Sequence, residues 1–230
     1  GIGPVVPLLE WDVKLYFALN GALHDSAIAA WGCKRHYDFV RPISTIRYMA
    51  SQGTLPTEPG LVEIVTDESN DLGGRHDGLT EGKIAIQAWG GEPDDPENDF
   101  TGTKWIHAED WLPYQRATFV TPAFAGYVSG HSCFSRAAAE ILTLMTGTPY
   151  FPGGVGTFVA PADDFLAFER GPSTELVLQW ATYYDAADEA GISRIYGGIH
   201  LPIDDGPGRI MGSEIGIAAY ALATQYFDSS

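Results

Sequence analysis

The sequence predicts a mainly α-helical fold, and three observations carry that prediction. Apolar residues recur at helical spacing in four separate stretches, while the alternation a strand needs is sparse and short. A chain of 230 residues with 45% hydrophobic side chains also has enough material for one substantial core. The expected architecture is a helical bundle in a single domain, residues 1–230, with a loop-rich acidic insertion.

Residues 11–40 form the first predicted helix. Leu15, Leu19, Leu23, Ala27 and Trp31 recur every fourth position and draw one apolar stripe. Pro42 disfavours helical geometry at Arg41, so the helix ends just before it, and a short second helix follows from Ile43 to Met49. From Gln52 to about Thr118 Gly and Pro interrupt every few residues and periodicity fades. Glu92, Asp94, Asp95, Glu97 and Asp99 crowd there. The region 52–118 reads as a surface insertion with one modest helix near Glu81–Trp89.

Helical texture returns at Ser132–Met145, where Ala137, Ala138, Ile141, Leu142 and Met145 mark an apolar face. A Gly/Pro-rich connection, Gly147–Pro161, leads to a helix around Ser173–Ala190, with Glu175 at its positive end. The last helix runs Gly208–Phe227. Gly208, Gly212 and Gly216 make a smooth strip on it; flanked by Arg209 and Glu214, the strip suits close helix packing in a soluble bundle rather than a membrane dimer.

The charge balance limits function. The net charge of −17 argues against a nucleic-acid surface, which needs clustered Lys and Arg, and fits an exported (periplasmic or extracellular) or salt-exposed protein. No stretch approaches the ~20 apolar residues of a membrane span. Cys33 and Cys133 read as buried thiols ahead of a bridge. The chain starts at Gly1, so it is either processed or part of something longer. A homo-oligomer stays open.

Three remote segments carry the chemistry. Lys34 and Arg41-Pro42 lie in KRHYDFVRP, Ser129-Gly130-His131 in GYVSGHS, and Ser193-Arg194 with His200 and Asp204 in SRIYGGIHLPID. Singly, each has an ordinary structural explanation. Together they supply three cations, two histidines, a helix-start Ser-Gly and a carboxylate in a chain poor in basic residues. Arg41 and Arg194 offer planar forks, Lys34 a point charge, and Ser129 and Gly130 the positive end of a helix. A highly charged oxyanion, phosphate or vanadate, satisfies such a set. His200, with Asp204 four residues on to fix its tautomer, suits the axial position; His131 suits proton transfer.

These blocks resemble the tripartite signature of the vanadium-dependent haloperoxidases and type 2 phosphatidic-acid phosphatases, as a bacterial haloperoxidase-like member. Val128 stands where Pro usually precedes the middle block. The resemblance implies a bundle of that type with vanadate between its helices, or phosphate in the same place, and, because the family's relatives are often longer at the N-terminus, N-terminal helices missing here or supplied by another chain. It implies that His200 bonds vanadium, that Lys34, Arg41, Ser129, Gly130 and Arg194 hold its oxygens, that His131 is acid–base catalyst, and that Asp204 orients His200. Hydrogen peroxide, halide and a small organic acceptor are the expected partners, with hypohalous acid as product.

A phosphatase would use the same pocket, with His200 as nucleophile through a phosphohistidine. Trp31 and Phe124, similar to aromatic positions on the halide side of haloperoxidases, favour the peroxidase. A non-catalytic relic of the pocket is the third reading. Asp67, Ser69 and Asp71 begin like a calcium loop, but Leu72 and Gly78 break its pattern. The Asp94–Asp99 run reads as a solvated loop. His24, His36, His76 and His107 show no partners in the sequence.

Overall fold

The structure is a computed structural model that describes residues 5–95, 98–164 and 171–227. In chain order it contains α1 (Leu8–Tyr37), α2 (Pro42–Ser51), β1 (Val62–Ile64), β2 (Ile84–Trp89), β3 (Thr103–His107), α3 (Gly130–Thr146), β4 (Gly156–Ala160), β5 (Leu176–Trp180), α4 (Tyr183–Tyr196) and α5 (Pro202–Phe227). The fold is mainly α, a helical bundle with two small antiparallel sheets. It divides into two compact units: Gly1–Asp38 with Tyr127–Arg194 and Pro202–Ser230, and Phe39–Gly126 with Ile195–Leu201.

The first unit is built on α1, α3 and α5. The buried row of α1 is Ala18, Ala22, Ser26, Ala30 and Lys34. It lies beside the predicted stripe: Leu15 and Leu19 pack at its edge, and Trp31 is exposed. Small side chains at the contact let the helices approach, so Ala18 and Ala22 meet Ala137, Ile141 and Ala223. The glycine strip of α5 does the same against α3. A Cβ at Gly212 would collide with the Cys133 carbonyl, and one at Gly216 would lie 2.8 Å from the Ala137 carbonyl. The strip therefore serves helix packing, as the sequence indicated. Cys33 and Cys133 are free thiols. Cys133 is fully buried, and burial pushes its thiol up from the ordinary value.

Two helix expectations need correction. Residues 176–180, expected inside a helix over Ser173–Ala190, form β5, paired with β4 so that Phe158 opposes Leu178 and Val159 opposes Val177. The run LVLQW is short and apolar, which periodicity alone cannot assign. The true start of α4 is fixed by a reciprocal cap. Thr182 N–H donates to Asp185 Oδ2 at 2.8 Å, and Asp185 N–H to Thr182 Oγ1 at 3.0 Å. The last helix also starts earlier than Gly208, at Pro202, whose missing N–H costs nothing in a first turn.

The second unit corrects the other expectation. Residues 84–89, expected to be helical near Glu81–Trp89, form the central strand of the sheet β1-β2-β3. Ile64 opposes Ile84 on one side, and Ile86 opposes Ile106 on the other. Two non-local partners decide the conformation of IAIQAW, and neither is visible in its own residues. Ala50, Val62, Ile84, Ile86 and Ala108 form a core there, so the 52–118 stretch is more than loop. Asp94, Asp95 and Asp99 do lie in turns and coil, and Glu97 falls outside the described residues. Ser69 belongs to a turn: its hydroxyl donates to the Thr66 carbonyl at 3.0 Å and lies 2.9 Å from His76 Nδ1. Among the described residues, no helix is long and apolar enough to cross a membrane.

Candidate functional site

In the first unit, Lys34 closes the buried row of α1 and is only 4% exposed. Its ammonium stands 5.8 Å from the centre of the Trp31 ring. Ser129 is the N-cap of α3, and its hydroxyl accepts from the Ser132 N–H at 3.3 Å. The Ser129 N–H donates to the Asp204 carbonyl at 2.9 Å, which ties the second signature segment to the third. Gly130 opens the helix, and a Cβ there would touch Trp31 and Phe134. The first unit thus joins Trp31, Lys34, Ser129, Gly130 and Asp204. His131 is the exposed second residue of α3. Arg194 lies in the last turn of α4 in a half-buried position, where burial draws its guanidinium below the ordinary value. Asp204 is fully buried in the first turn of α5.

In the second unit, Arg41 and His200 meet. Arg41 Nη1 lies 3.1 Å from His200 Nε2, and the residues are 6% exposed each. The guanidinium also donates to the carbonyls of Phe124 (Nε, 2.9 Å), Ile199 (Nη1, 2.9 Å) and Ala125 (Nη2, 3.4 Å). Its carbon lies 5.2 Å from the Phe124 ring centre. Arginine only donates, so His200 Nε2 is the acceptor and the imidazole proton belongs on Nδ1. Gly198, at φ 73°, makes the turn that presents Ile199 and His200, and a Cβ there would meet Pro113 and Trp111 at 3.1 Å.

Two residues that the sequence reading passed over stand behind Ser129. Ser132 is fully buried, its hydroxyl 2.8 Å from that of Ser129, and it donates to Asp205 Oδ1 at 2.6 Å. Arg209 grips the same carboxylate, Nε to Oδ1 at 3.0 Å and Nη2 to Oδ2 at 2.8 Å. A second polar residue inside a helix start, and doubled aspartates at positions 204 and 205, were the available signals.

The residues fit an oxyanion. Lys34 and Arg41 are buried cations in a chain of net charge −17, and each stacks on one of the two aromatic residues predicted for the site. His200 presents Nε2 as the acceptor toward Arg41.

Known proteins share the fold. A family model described as VCPO second helical-bundle domain matches residues 14–229. A holo-type bacterial vanadium-dependent chloroperoxidase superposes with a TM-score of 0.63 at 21% identity, over 90% of this chain and 35% of that one. The apo-type structure gives 0.65 at 21% identity, over 92% and 36%. The chain thus spans about a third of the length of these structures. No curated protein matches. The match over residues 14–229 shows that the chain belongs to the VCPO second helical-bundle family and is a vanadium-haloperoxidase-like member of it.

Proposed function

We propose that this chain carries the vanadate-holding part of a vanadium-dependent haloperoxidase, which oxidises halide with hydrogen peroxide to hypohalous acid for a small organic acceptor. The observation that carries the reading is the buried Arg41–His200 pair, with Nε2 as acceptor, in a family of vanadium chloroperoxidase type.

In this reading both residue sets serve one anion. His200 Nε2 would hold it, in place of the bond it now accepts from Arg41. Lys34, Arg41 and Arg194 balance its charge, and Ser129 and Gly130 donate at the positive end of α3. Asp204 is the residue this reading assigns to orienting His200. When bound, the group supplies Lewis-acid activation of hydrogen peroxide toward halide. His131, exposed beside Gly130, moves protons to and from the incoming peroxide. Trp31 and Phe124 keep the halide side apolar, which suits a weakly hydrated anion.

The test is halogenation of an activated diketone by peroxide and bromide, with and without added vanadate. Vanadate-stimulated turnover is expected. Hydrolysis of p-nitrophenyl phosphate with no vanadate-stimulated halogenation would instead assign a phosphatase acting through His200. The absence of both activities together with absence of vanadate binding would leave a relic pocket.

A further inference from the structure

The Ser129 hydroxyl has a competitor for its proton. Asp205 is a carboxylate and only accepts, so the single Ser132 proton goes to Oδ1 across 2.6 Å. The proton between the two hydroxyls, 2.8 Å apart, is then that of Ser129. In this arrangement Ser129 points its donor inward, at Ser132, and has none to offer an oxyanion. The alternative costs little. If the Ser132 hydroxyl turns from Asp205 to Ser129, both carboxylate oxygens keep their Arg209 bonds at 3.0 and 2.8 Å. Ser129 then accepts from Ser132 and is released to donate outward. A donor that itself accepts a hydrogen bond is also polarised and strengthened.

We propose that Ser132 is a positioning residue, a two-way hydroxyl that frees the Ser129 O–H to donate a hydrogen bond to the bound oxyanion by turning its own O–H from Asp205 to Ser129. The inference rests on the reading that Ser129 donates to that anion. No proton leaves either oxygen; only the direction of two hydrogen bonds reverses. Ser129 and Ser132 are fully buried and Asp205 is 9% exposed, so water does not substitute for a missing partner between the two hydroxyls.

A double-mutant cycle tests it, read as equilibrium vanadate affinity by titration calorimetry on the purified chain. Ser129→Ala removes the donor and weakens binding about tenfold or more. Ser132→Ala weakens it severalfold, and Ser132→Cys, which fills the space but donates poorly, does the same. In the Ser129→Ala background neither Ser132 change has any further effect, because the hydroxyl it serves is gone. Where Ser132→Ala fails to fold, Ser132→Cys completes the cycle. Wild-type affinity in both Ser132 variants, or a loss that persists undiminished without Ser129, overturns the proposal. A wild-type chain that binds neither vanadate nor phosphate would instead remove the oxyanion reading, and this inference with it.

Discussion

Arg41 Nη1 reaches His200 Nε2 at 3.1 Å although 159 residues of chain separate them. Arg41 engages four of its five N–H groups in the second unit, three of them on main-chain carbonyls. The side chain is therefore as much a strut as a charge.

Arg41→Lys should show this. A lysine keeps the charge but cannot serve the Phe124, Ala125 and Ile199 carbonyls together. A buried acceptor left unpaired costs about 1–3 kcal/mol, and each kcal/mol moves the melting temperature of a domain this size by about 2–4 °C. Calorimetric melting should fall by about 5–10 °C, alongside weakened vanadate binding. A melting temperature equal to wild type would deny the strut.

Gly212 and Gly21 should respond oppositely to alanine. A Cβ at Gly212 meets the Cys133 carbonyl, whereas nothing lies within 4 Å of one at Gly21. Gly212→Ala should cost about 2 kcal/mol or more by forcing α5 off α3. Gly21→Ala, within α1, should stabilise by up to about 1 kcal/mol through helix propensity. Denaturant midpoints check both.

How much of this was legible follows from where each signal resides. Lys34, Arg41, Ser129, His131, Arg194, His200 and Asp204 are charged, polar or helix-starting residues with fixed internal spacing, so the segments declare themselves. The helices α1 and α3 carry their own periodicity. The strands β2 and β5 do not, because IAIQAW and LVLQW become strands only through partners elsewhere in the chain. The buried row of α1 lay beside the leucine stripe because helix contacts there select alanine for closeness. The anchoring of Arg41 on carbonyls was invisible, since main-chain acceptors leave no trace in residue identity.

His76 should make stability depend on pH. It is 1% exposed, with Ser69 Oγ 2.9 Å from Nδ1, Glu63 3.6 Å from Nε2 and the Trp105 ring alongside. Burial chiefly lowers its pKa from 6.5; Glu63 opposes that and Arg75 adds to it. The folded chain thus binds this proton less readily than the unfolded one. Stability from His76 is whole above 6.5 and is lost as pH falls from there through the lowered native value. Melting followed between about pH 7 and 5 should fall less steeply in His76→Gln than in wild type. Parallel curves would contradict this.

His131→Ala should separate binding from turnover. His131 is exposed and reads as a proton carrier, not as an axial ligand. Vanadate affinity should stay within about threefold of wild type while halogenation drops by about 100-fold or more. Undiminished turnover would remove His131 from the mechanism.

The most direct measurement is a crystal structure of this chain grown with vanadate. The account predicts one anion bonded to His200 Nε2, with Lys34 Nζ and the Ser129 hydroxyl on its oxygens. An anion that engages Lys34 away from His200, or a His200 Nε2 that keeps its bond from Arg41 and does not meet the anion at saturating vanadate, would contradict it.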